Sequence, residues 1–332
     1  MSPDQCAAQP TCQQIIRAVS GKAVVNQPSS SIHVAIAFDE NYVTPVYVLL
    51  TSIFRNNTST NIVIHAIETG LTALQREELQ LYCAGYASSI CFYTLENSFA
   101  KDFVLPPTLW WTASIYYRLM FPVLLPAEVE KFIYLDTDII VLGPLQTLFN
   151  TPMQGLPVAA VRDFVDSRPE LGIHTPDSYF NSGVLLIERV EWQKREITAK
   201  VLDFIRTNAD KLVYPDQDAL NAVLVDSWVK LDTRFNTMFR DIPHEQSRKQ
   251  LQQFLQKIVI LHFTTQHKPW AMLGENKLRN IYFDYLRKVP KKYRRRYDNF
   301  VWNRHKIRKM IEIRLSEWAV DYPALAIGWR RK

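Results

Sequence analysis

Phe132-Ile133-Tyr134-Leu135-Asp136-Thr137-Asp138-Ile139-Ile140-Val141-Leu142 sets two acids between two apolar runs. The run 131–134 reads as a strand buried on both faces, as the central strands of parallel sheets are. Acids embedded in such a frame are costly unless they are paired or hold a cation. At positions i and i+2, two carboxylates converge if the chain turns just past the strand. Two hard oxygen donors of that kind suit Mg2+ or Mn2+, above all an ion shared with a diphosphate. Asp-x-Asp alone is a weak signal, because many strands end in solvated acids that cap a turn. The apolar frame on both sides is what points to function here.

Upstream, Ile32-His-Val-Ala-Ile-Ala-Phe38, closed by Asp39-Glu40-Asn41, reads as another buried strand. The pattern then predicts a helix over 44–56, a strand over 61–68, a helix over 72–84 capped by Thr72, and a strand over 89–94. This β-α-β-α-β order implies a parallel sheet with helices on both faces. Downstream, helices are expected at 111–121, 192–208 and 215–225, and strands at 157–161, 183–188 and 258–262. Ligands of open α/β sheets bind beyond the carboxyl ends of the strands. Asp39-Glu40-Asn41, Asp136-Thr137-Asp138 and His262 all fall at such ends. No Gly-x-Gly-x-x-Gly follows the first strand and no Gly-Lys-Ser/Thr loop occurs, so dinucleotide and P-loop readings lack their phosphate-binding device.

His262 lies in Ile258-Val-Ile-Leu-His262-Phe-Thr-Thr-Gln-His267-Lys268-Pro-Trp270. A neutral imidazole there completes an Asp/Asp/His metal set, or else sits hydrogen-bonded in a core. Lys268 neutralises a diphosphate, or else solvates the surface.

The 332 residues carry a net charge of +6, distributed unevenly. Between Lys288 and Lys309 there are ten Lys or Arg and one acid; taking these from the totals leaves 29 bases against 32 acids elsewhere. A basic segment on a near-neutral body argues for a local anionic partner and does not argue for a generally nucleic-acid-binding body. The four cysteines, Cys6, Cys12, Cys83 and Cys91, form no Cys-x-x-Cys pair and read as ordinary thiols. No apolar run is long enough to span a membrane and no signal peptide is evident, so a cytoplasmic location is expected. The overlapping glycosylation sequons at Asn56-Asn57-Thr58-Ser59 are read as without function. Three regions are expected: a loose extension over 1–30, a catalytic domain over 31–280 and a basic, aromatic-rich helical tail over 281–332. In the tail Tyr293, Tyr297, Phe300, Arg304, Ile307 and Ile311 recur at helical spacing. A basic amphipathic helix fits an anionic membrane surface contacted through residues 288–309, on the inner face of the cytoplasmic membrane, or else packs on the body with its basic face in solvent.

Five motifs in order resemble glycosyltransferase family 8, the retaining enzymes that include bacterial lipopolysaccharide glucosyl- and galactosyltransferases. They are Ala35-Ile-Ala37-Phe-Asp39-Glu-Asn41-Tyr42, Tyr117-Arg118-Leu119 with the Asp136-x-Asp138 strand, and Tyr179-Phe-Asn181-Ser-Gly183. Pro215-Asp216-Gln217-Asp218-Ala-Leu-Asn221 and His262-Phe-Thr-Thr-x-x-Lys268-Pro-Trp270 complete the set. The resemblance covers about residues 32–275. It implies an α/β fold of the GT-A type: a Rossmann-like mixed, mainly parallel sheet flanked by helices. It also implies a UDP-sugar donor, UDP-glucose or UDP-galactose, and a saccharide acceptor such as lipopolysaccharide. By matching position, Ala37, Asp39, Asn41 and Tyr42 would hold uracil and ribose, and Arg118 the donor sugar or ribose. Asp136, Asp138 and His262 would ligate Mn2+ (or Mg2+), with Thr137 and Thr265 lining the donor and Lys268 on the diphosphate. Asp163, Asn181, Asp216 and Gln217 would line the reacting sugar. Where that family often carries Gly after the metal-binding His, this chain has Thr264-Thr265-Gln266-His267, a bulkier loop beside the phosphates.

Retaining glycosidases ordinarily place two carboxylates about 5 Å apart, one of them a nucleophile. Gln217, at the reacting face by resemblance, is a poor nucleophile, so front-face attack is the expected route, with the leaving phosphate taking the acceptor proton. Three other readings compete with this one. A nucleic-acid-binding protein would use the basic aromatic tail, but the near-neutral body and the Asp-x-Asp strand oppose it. An inactive sugar-nucleotide-binding protein would not need the full Asp136/Asp138/His262 set. A nucleotidyltransferase gives no reason for Asn181-Ser-Gly183 or Lys268-Pro-Trp270.

Overall fold

A computed structural model describes residues 31–95, 113–165, 167–242, 248–264, 266–276, 278–297 and 300–321. The strands among them are β1 (Ile32–Asp39), β2 (Ile62–Thr69), β3 (Ser89–Tyr93), β4 (Lys131–Leu135), β5 (Ile139–Val141), β6 (Val158–Arg162), β7 (Phe180–Glu188), β8 (Val229–Lys230) and β9 (Ile260–His262). The helices of two turns or more are α1 (Val43–Asn56), α2 (Ala73–Ala84), α3 (Ile197–Thr207), α4 (Pro215–Val223), α5 (Arg248–Leu255), α6 (Arg279–Leu286) and α7 (Arg304–Asp321). The described chain divides into two compact units, each assembled from separated segments. The extension expected over 1–30 and the first two residues of the helix expected at 111–121 lie outside the described residues. From Ala113 that stretch forms a 3-10 turn to Leu119 and a short helix from Phe121 to Leu124.

The first unit comprises residues up to Asp39, Ile62–Leu135 and Thr151–Lys230. Its seven strands lie in the order β3-β2-β1-β4-β7-β6-β8. β1 pairs in parallel with both β2 and β4, while β7 runs antiparallel between β4 and β6. The sheet is therefore mixed and mainly parallel, as expected. Burial on both faces explains why β1 and β2 read as mostly Ile, Val and Ala, each with one histidine among them. α2 starts where Thr72 predicted. The Thr72 hydroxyl accepts the Gln75 N–H at 3.2 Å and the Gln75 amide oxygen accepts the Thr72 N–H at 2.9 Å, a reciprocal cap. Cys83 and Cys91 are buried thiols, and burial pushes Cys83 up to about 12.

Two expectations are corrected in this unit. β7 begins at Phe180 rather than 183, because buried Asn181 and Ser182 find polar partners that let them enter the strand. The helix expected over 192–208 is two: a short helix Arg189–Lys194 and then α3, broken at Glu196, which has φ 55°. Fully buried Trp192 fixes that corner. Its indole N–H donates to Thr198 Oγ at 2.9 Å, and Thr198 donates to the Leu119 carbonyl at 2.9 Å.

The second unit comprises Glu40–Asn61, Asp136–Asn150 and the chain from Leu231 onward. β5 and β9 form an antiparallel ladder that aligns Ile139 with His262 and Val141 with Ile260. α1 is buried nearly all round, from Val43 to Phe54. Both sequon asparagines are engaged internally. Asn56 Nδ2 donates to the Val141 carbonyl at 3.0 Å and to Tyr285 Oη at 2.8 Å, and Asn57 Oδ1 accepts the Leu145 N–H at 2.7 Å.

The continuous helical stripe expected from Tyr293 to Ile311 is not formed. Lys291–Tyr293 make a 3-10 turn and helix resumes only at Arg304. Asn303 sets that start: its Oδ1 accepts the N–H groups of His305 (3.0 Å) and Lys306 (3.1 Å), an N-cap. Tyr293 instead stacks on Tyr47 with ring centroids 4.2 Å apart, and its carbonyl accepts from Thr44 Oγ at 2.9 Å. Tyr297 meets Phe283 edge-on.

Candidate functional site

Past β4, Asp136-Thr137-Asp138 make the turn into β5, and Thr137 is buried between the two acids. The β5–β9 register then decides the neighbours. With Ile139 opposite His262, Asp138 comes beside the imidazole, and the Phe263 N–H bonds the Asp138 carbonyl at 3.0 Å. His262 Nε2 lies 3.0 Å from Asp138 Oδ1 and 3.8 Å from Asp136 Oδ2. One ligand atom from each of the three lies within 4.8 Å of the others. Lys268 Nζ donates to Asp138 Oδ2 and, at 2.5 Å, to the Phe263 carbonyl. Burial would raise the Asp138 carboxyl, but the Lys268 ammonium, joined by His262 only in its charged form, outweighs it and holds the group below the ordinary carboxylate range.

The chemistry of this set fits a divalent cation. Asn236 Oδ1 lies 2.9 Å from His262 Nδ1, so a neutral ring gives Nδ1 the proton and turns a bare Nε2 lone pair toward Asp138 Oδ1. Two acceptors then face each other, and Asp138 Oδ1 is buried without a hydrogen-bond partner. A cation shared by the three relieves that repulsion, and the Asn236 bond is the outer support that metal-bound imidazoles commonly have.

A second polar cluster belongs to the first unit. β7 supplies Asn181 and Ser182, α4 supplies Asp216 and Gln217, the 3-10 turn supplies Arg118, and Asp163 follows β6. Arg118 Nε pairs with Asp216 Oδ2 at 3.0 Å, and Nη1 donates to the Ser182 carbonyl at 2.6 Å and to its hydroxyl at 2.8 Å. The Arg118 guanidinium also lies over the Tyr134 ring, 4.8 Å from its centroid. Gln217 is saturated. Its Oε1 accepts from the Ser182 N–H (3.0 Å) and Asn181 Nδ2 (3.1 Å), while its Nε2 donates to Asp163 Oδ2 (3.1 Å) and Tyr179 Oη (3.2 Å). Asn181 Nδ2 also reaches Asp163 Oδ2 at 3.0 Å.

Asp216 does not act as a helix cap. α4 starts on Pro215, with Tyr214 at the N-cap position and no side-chain cap bond. The acid that bonds the incoming backbone is Asp218, whose Oδ2 accepts the N–H groups of Val213 and Tyr214. Asp216 is thereby left to face Arg118 and Ser182. Burial, then the neighbouring Asp218, raises Tyr179, which stays a phenol and donates to Asp218 Oδ1 at 2.5 Å.

Of the residues expected to hold the base and ribose, Ala37 and Asp39 lie at the end of β1, in the first unit. Asn41 and Tyr42 occupy the turn Glu40–Tyr42 in the second unit, where Tyr42 meets the Trp270 ring edge-on at 6.1 Å. Thr265 lies outside the described residues. Sequence reading missed Asn236, which no motif marks. It also gave no role to Tyr179, Ser182 and Asp218, although each stood inside a quoted motif.

The described residues thus combine a mixed sheet, an acidic turn after a central strand with an imidazole registered beside it, and, in the sheet unit, a carboxylate–amide cluster. A sequence model described as glycosyl transferase family 8 matches residues 33–274, and the chain belongs to that family. It is 30% identical over 267 residues to a lipopolysaccharide 1,2-glucosyltransferase of Escherichia coli, covering 76% of this chain and 78% of that one. It is 28% identical over 267 residues to general stress protein A of Bacillus subtilis, covering 77% and 93%. The fold is shared with the galactosyltransferase LgtC, whose crystal structure holds donor and acceptor sugar analogs. The TM-score is 0.69 at 21% identity, over 80% of this chain and 100% of that one.

Proposed function

We propose that this glycosyltransferase moves glucose or galactose from UDP to a saccharide acceptor, lipopolysaccharide or another lipid-linked glycan, with Mn2+ or Mg2+ and with retention at the sugar carbon. The observation that carries the reading is the convergence of Asp136, Asp138 and His262 with Lys268 bonded to the same Asp138. Relatives named as lipopolysaccharide glucosyl- and galactosyltransferases support the sugar and acceptor class. Asp136, Asp138 and His262 would hold the cation, which supplies Lewis-acid stabilisation to the leaving diphosphate. Lys268 would exchange Asp138 for a phosphate oxygen and add positive charge where negative charge develops. Ala37, Asp39, Asn41 and Tyr42 would take uracil and ribose, with Thr137 and Thr265 lining the donor.

Arg118, Asp163, Asn181, Asp216 and Gln217 would orient the sugar hydroxyls. Gln217 has all its amide groups engaged, and Asp216 is tied to Arg118 and Ser182. Neither is poised as a nucleophile, which favours front-face attack. The acceptor oxygen bonds to the anomeric carbon, the bond from that carbon to the phosphate oxygen breaks, and the acceptor proton passes to the departing phosphate.

A donor panel tests the reading. Hydrolysis of one UDP-hexose, dependent on added Mn2+, is the expected result; no metal dependence with any donor overturns it.

No helix among the described residues is long and apolar enough to cross a membrane. We place the protein peripherally on the inner face of the cytoplasmic membrane, through residues 288–309. With Tyr293 and Tyr297 packed inward, the insertion point narrows to Phe300-Val301-Trp302, of which Trp302 is 87% exposed. Trp302→Ser is expected to weaken sedimentation with phosphatidylglycerol vesicles and leave donor hydrolysis unchanged. Equal binding of the natural chain to phosphatidylcholine vesicles would remove the anionic-surface assignment.

A further inference from the structure

The family match ends at residue 274, and α7 lies thirty residues beyond it. Ile307, Met310, Arg314 and Glu317 follow one another at three- and four-residue spacing, and all are partly buried, with Ile313 buried among them. Trp302, Ile311 and Trp318 are exposed. The packed face of this helix therefore carries an ion pair, Arg314 Nη1 to Glu317 Oε2 at 2.7 Å. A charged pair on a packed face is costly unless its remaining donors and acceptors are used.

Apart from Arg314 Nε, which is buried without a hydrogen-bond partner, they are used on one segment. Arg314 Nη1 and Nη2 each donate to the Gly274 carbonyl at 3.0 Å, and Nη2 also donates to the Met272 carbonyl at 3.0 Å. Glu317 Oε1 accepts the Asn276 N–H at 2.9 Å. Arg279 Nη2 adds a further bond to the Gly274 carbonyl at 2.6 Å. The segment so held folds back on Lys268. Ala271 N–H bonds the Lys268 carbonyl at 3.0 Å, Gly274 N–H bonds the Ala271 carbonyl at 3.1 Å, and Asn276 Nδ2 bonds the His267 carbonyl at 3.2 Å. The closure is tight enough that a Cβ on Gly274 would stand 2.5 Å from the Lys268 carbonyl oxygen.

We infer that α7 braces the Lys268 loop, and that Arg314 and Glu317 are positioning residues for the lysine that meets the donor's diphosphate. The inference rests on the reading of Lys268 given above. It makes the C-terminal helix a working part of the site, in addition to any surface it presents outward. The logic is mechanical. Lys268 can deliver its ammonium to one place only if its backbone is fixed. The turn after it is pinned at three carbonyls or amides by two side chains one helical turn apart on α7.

The test is UDP and uridine binding by calorimetry at saturating Mn2+, using the full chain, Lys268→Ala, Arg314→Ala and the double variant. Uridine lacks the phosphates and serves as the internal control. Arg314→Ala is expected to weaken UDP on the order of tenfold, within the hundredfold that a misplacement of about 1 Å can cost, and to leave uridine unchanged. In the Lys268→Ala background the same change should add less than about twofold, because residues acting through one group are not additive. Arg314→Lys keeps the charge but cannot bond both carbonyls, and it serves if the alanine variant does not fold; Glu317→Gln keeps the acceptor for Asn276 and should restore most UDP affinity relative to Glu317→Ala. Additive losses, or equal losses for UDP and uridine, overturn the brace while sparing the diphosphate assignment. Unchanged UDP affinity in Lys268→Ala removes that assignment and the brace with it.

Discussion

Asp138→Asn is expected to abolish metal-dependent donor hydrolysis, with a fall in kcat of about a hundredfold or more. A Lewis acid on a leaving diphosphate contributes several kcal/mol, and each 1.36 kcal/mol is about tenfold in rate. Asp138 touches both His262 and Lys268, so its loss would take one carboxylate from the proposed cation set and also free the ammonium from its anchor. The asparagine keeps the size of the side chain and the backbone bond to Phe263, so circular dichroism and thermal unfolding should change little. Calorimetric titration with Mn2+ separates the two contributions. Lost cation binding with an intact fold supports the assignment, whereas unchanged Mn2+ affinity would exclude Asp138 as a ligand.

The second large effect is on stability. Arg118→Met should lower the unfolding free energy by about 3–5 kcal/mol, the cost of leaving one member of a buried ion pair uncompensated. Arg118 and Asp216 side chains are 7% and 9% exposed, so little solvent screens the orphaned carboxylate. Methionine keeps much of the apolar stem against Tyr134, which isolates the charge from the packing. Pairing the change with Asp216→Asn should recover a large part of the loss, since the uncompensated charge is then gone. Urea melts of the single and double variants measure this. A single-variant loss under about 1 kcal/mol would match an exposed pair instead and would contradict the burial.

Much of this fold could be read from the chain because its signals are local. The strands at 32–39, 62–69, 89–93 and 131–135 are apolar runs, and Thr72 with Gln75 announces a helix start. Asp136, Asp138 and His262 were legible for the same reason, as polar residues standing out against apolar strands. Asn236 was not. Its contact with His262 spans 26 residues and depends on the β-bridge of Thr237 to Leu261, which no periodicity encodes. The break at Glu196 was hidden likewise, because Trp192 and Ile197–Ile205 continue a plausible helical pattern and only the Trp192–Thr198 bond requires a corner. In the tail, apolar spacing over 293–311 outweighed a capping residue, Asn303, that was present in the sequence. The polar entry of β7 went unread because Asn181 and Ser182 look like loop residues until Gln217 and Arg118 are there to receive them.

The segmented build of the second unit bears on how the polypeptide reaches its native state. α1, buried on nearly every side in the folded unit, is made well before its partners Tyr285 and Tyr293, which are encoded more than two hundred residues later. The nascent chain must therefore shelter a sticky helix until those residues are made, and closure over so long a separation is entropically slow. Truncation before Tyr293 would strand that helix permanently. A shortened protein would then be expected to need chaperone assistance or to enter inclusion bodies for reasons unrelated to lipids.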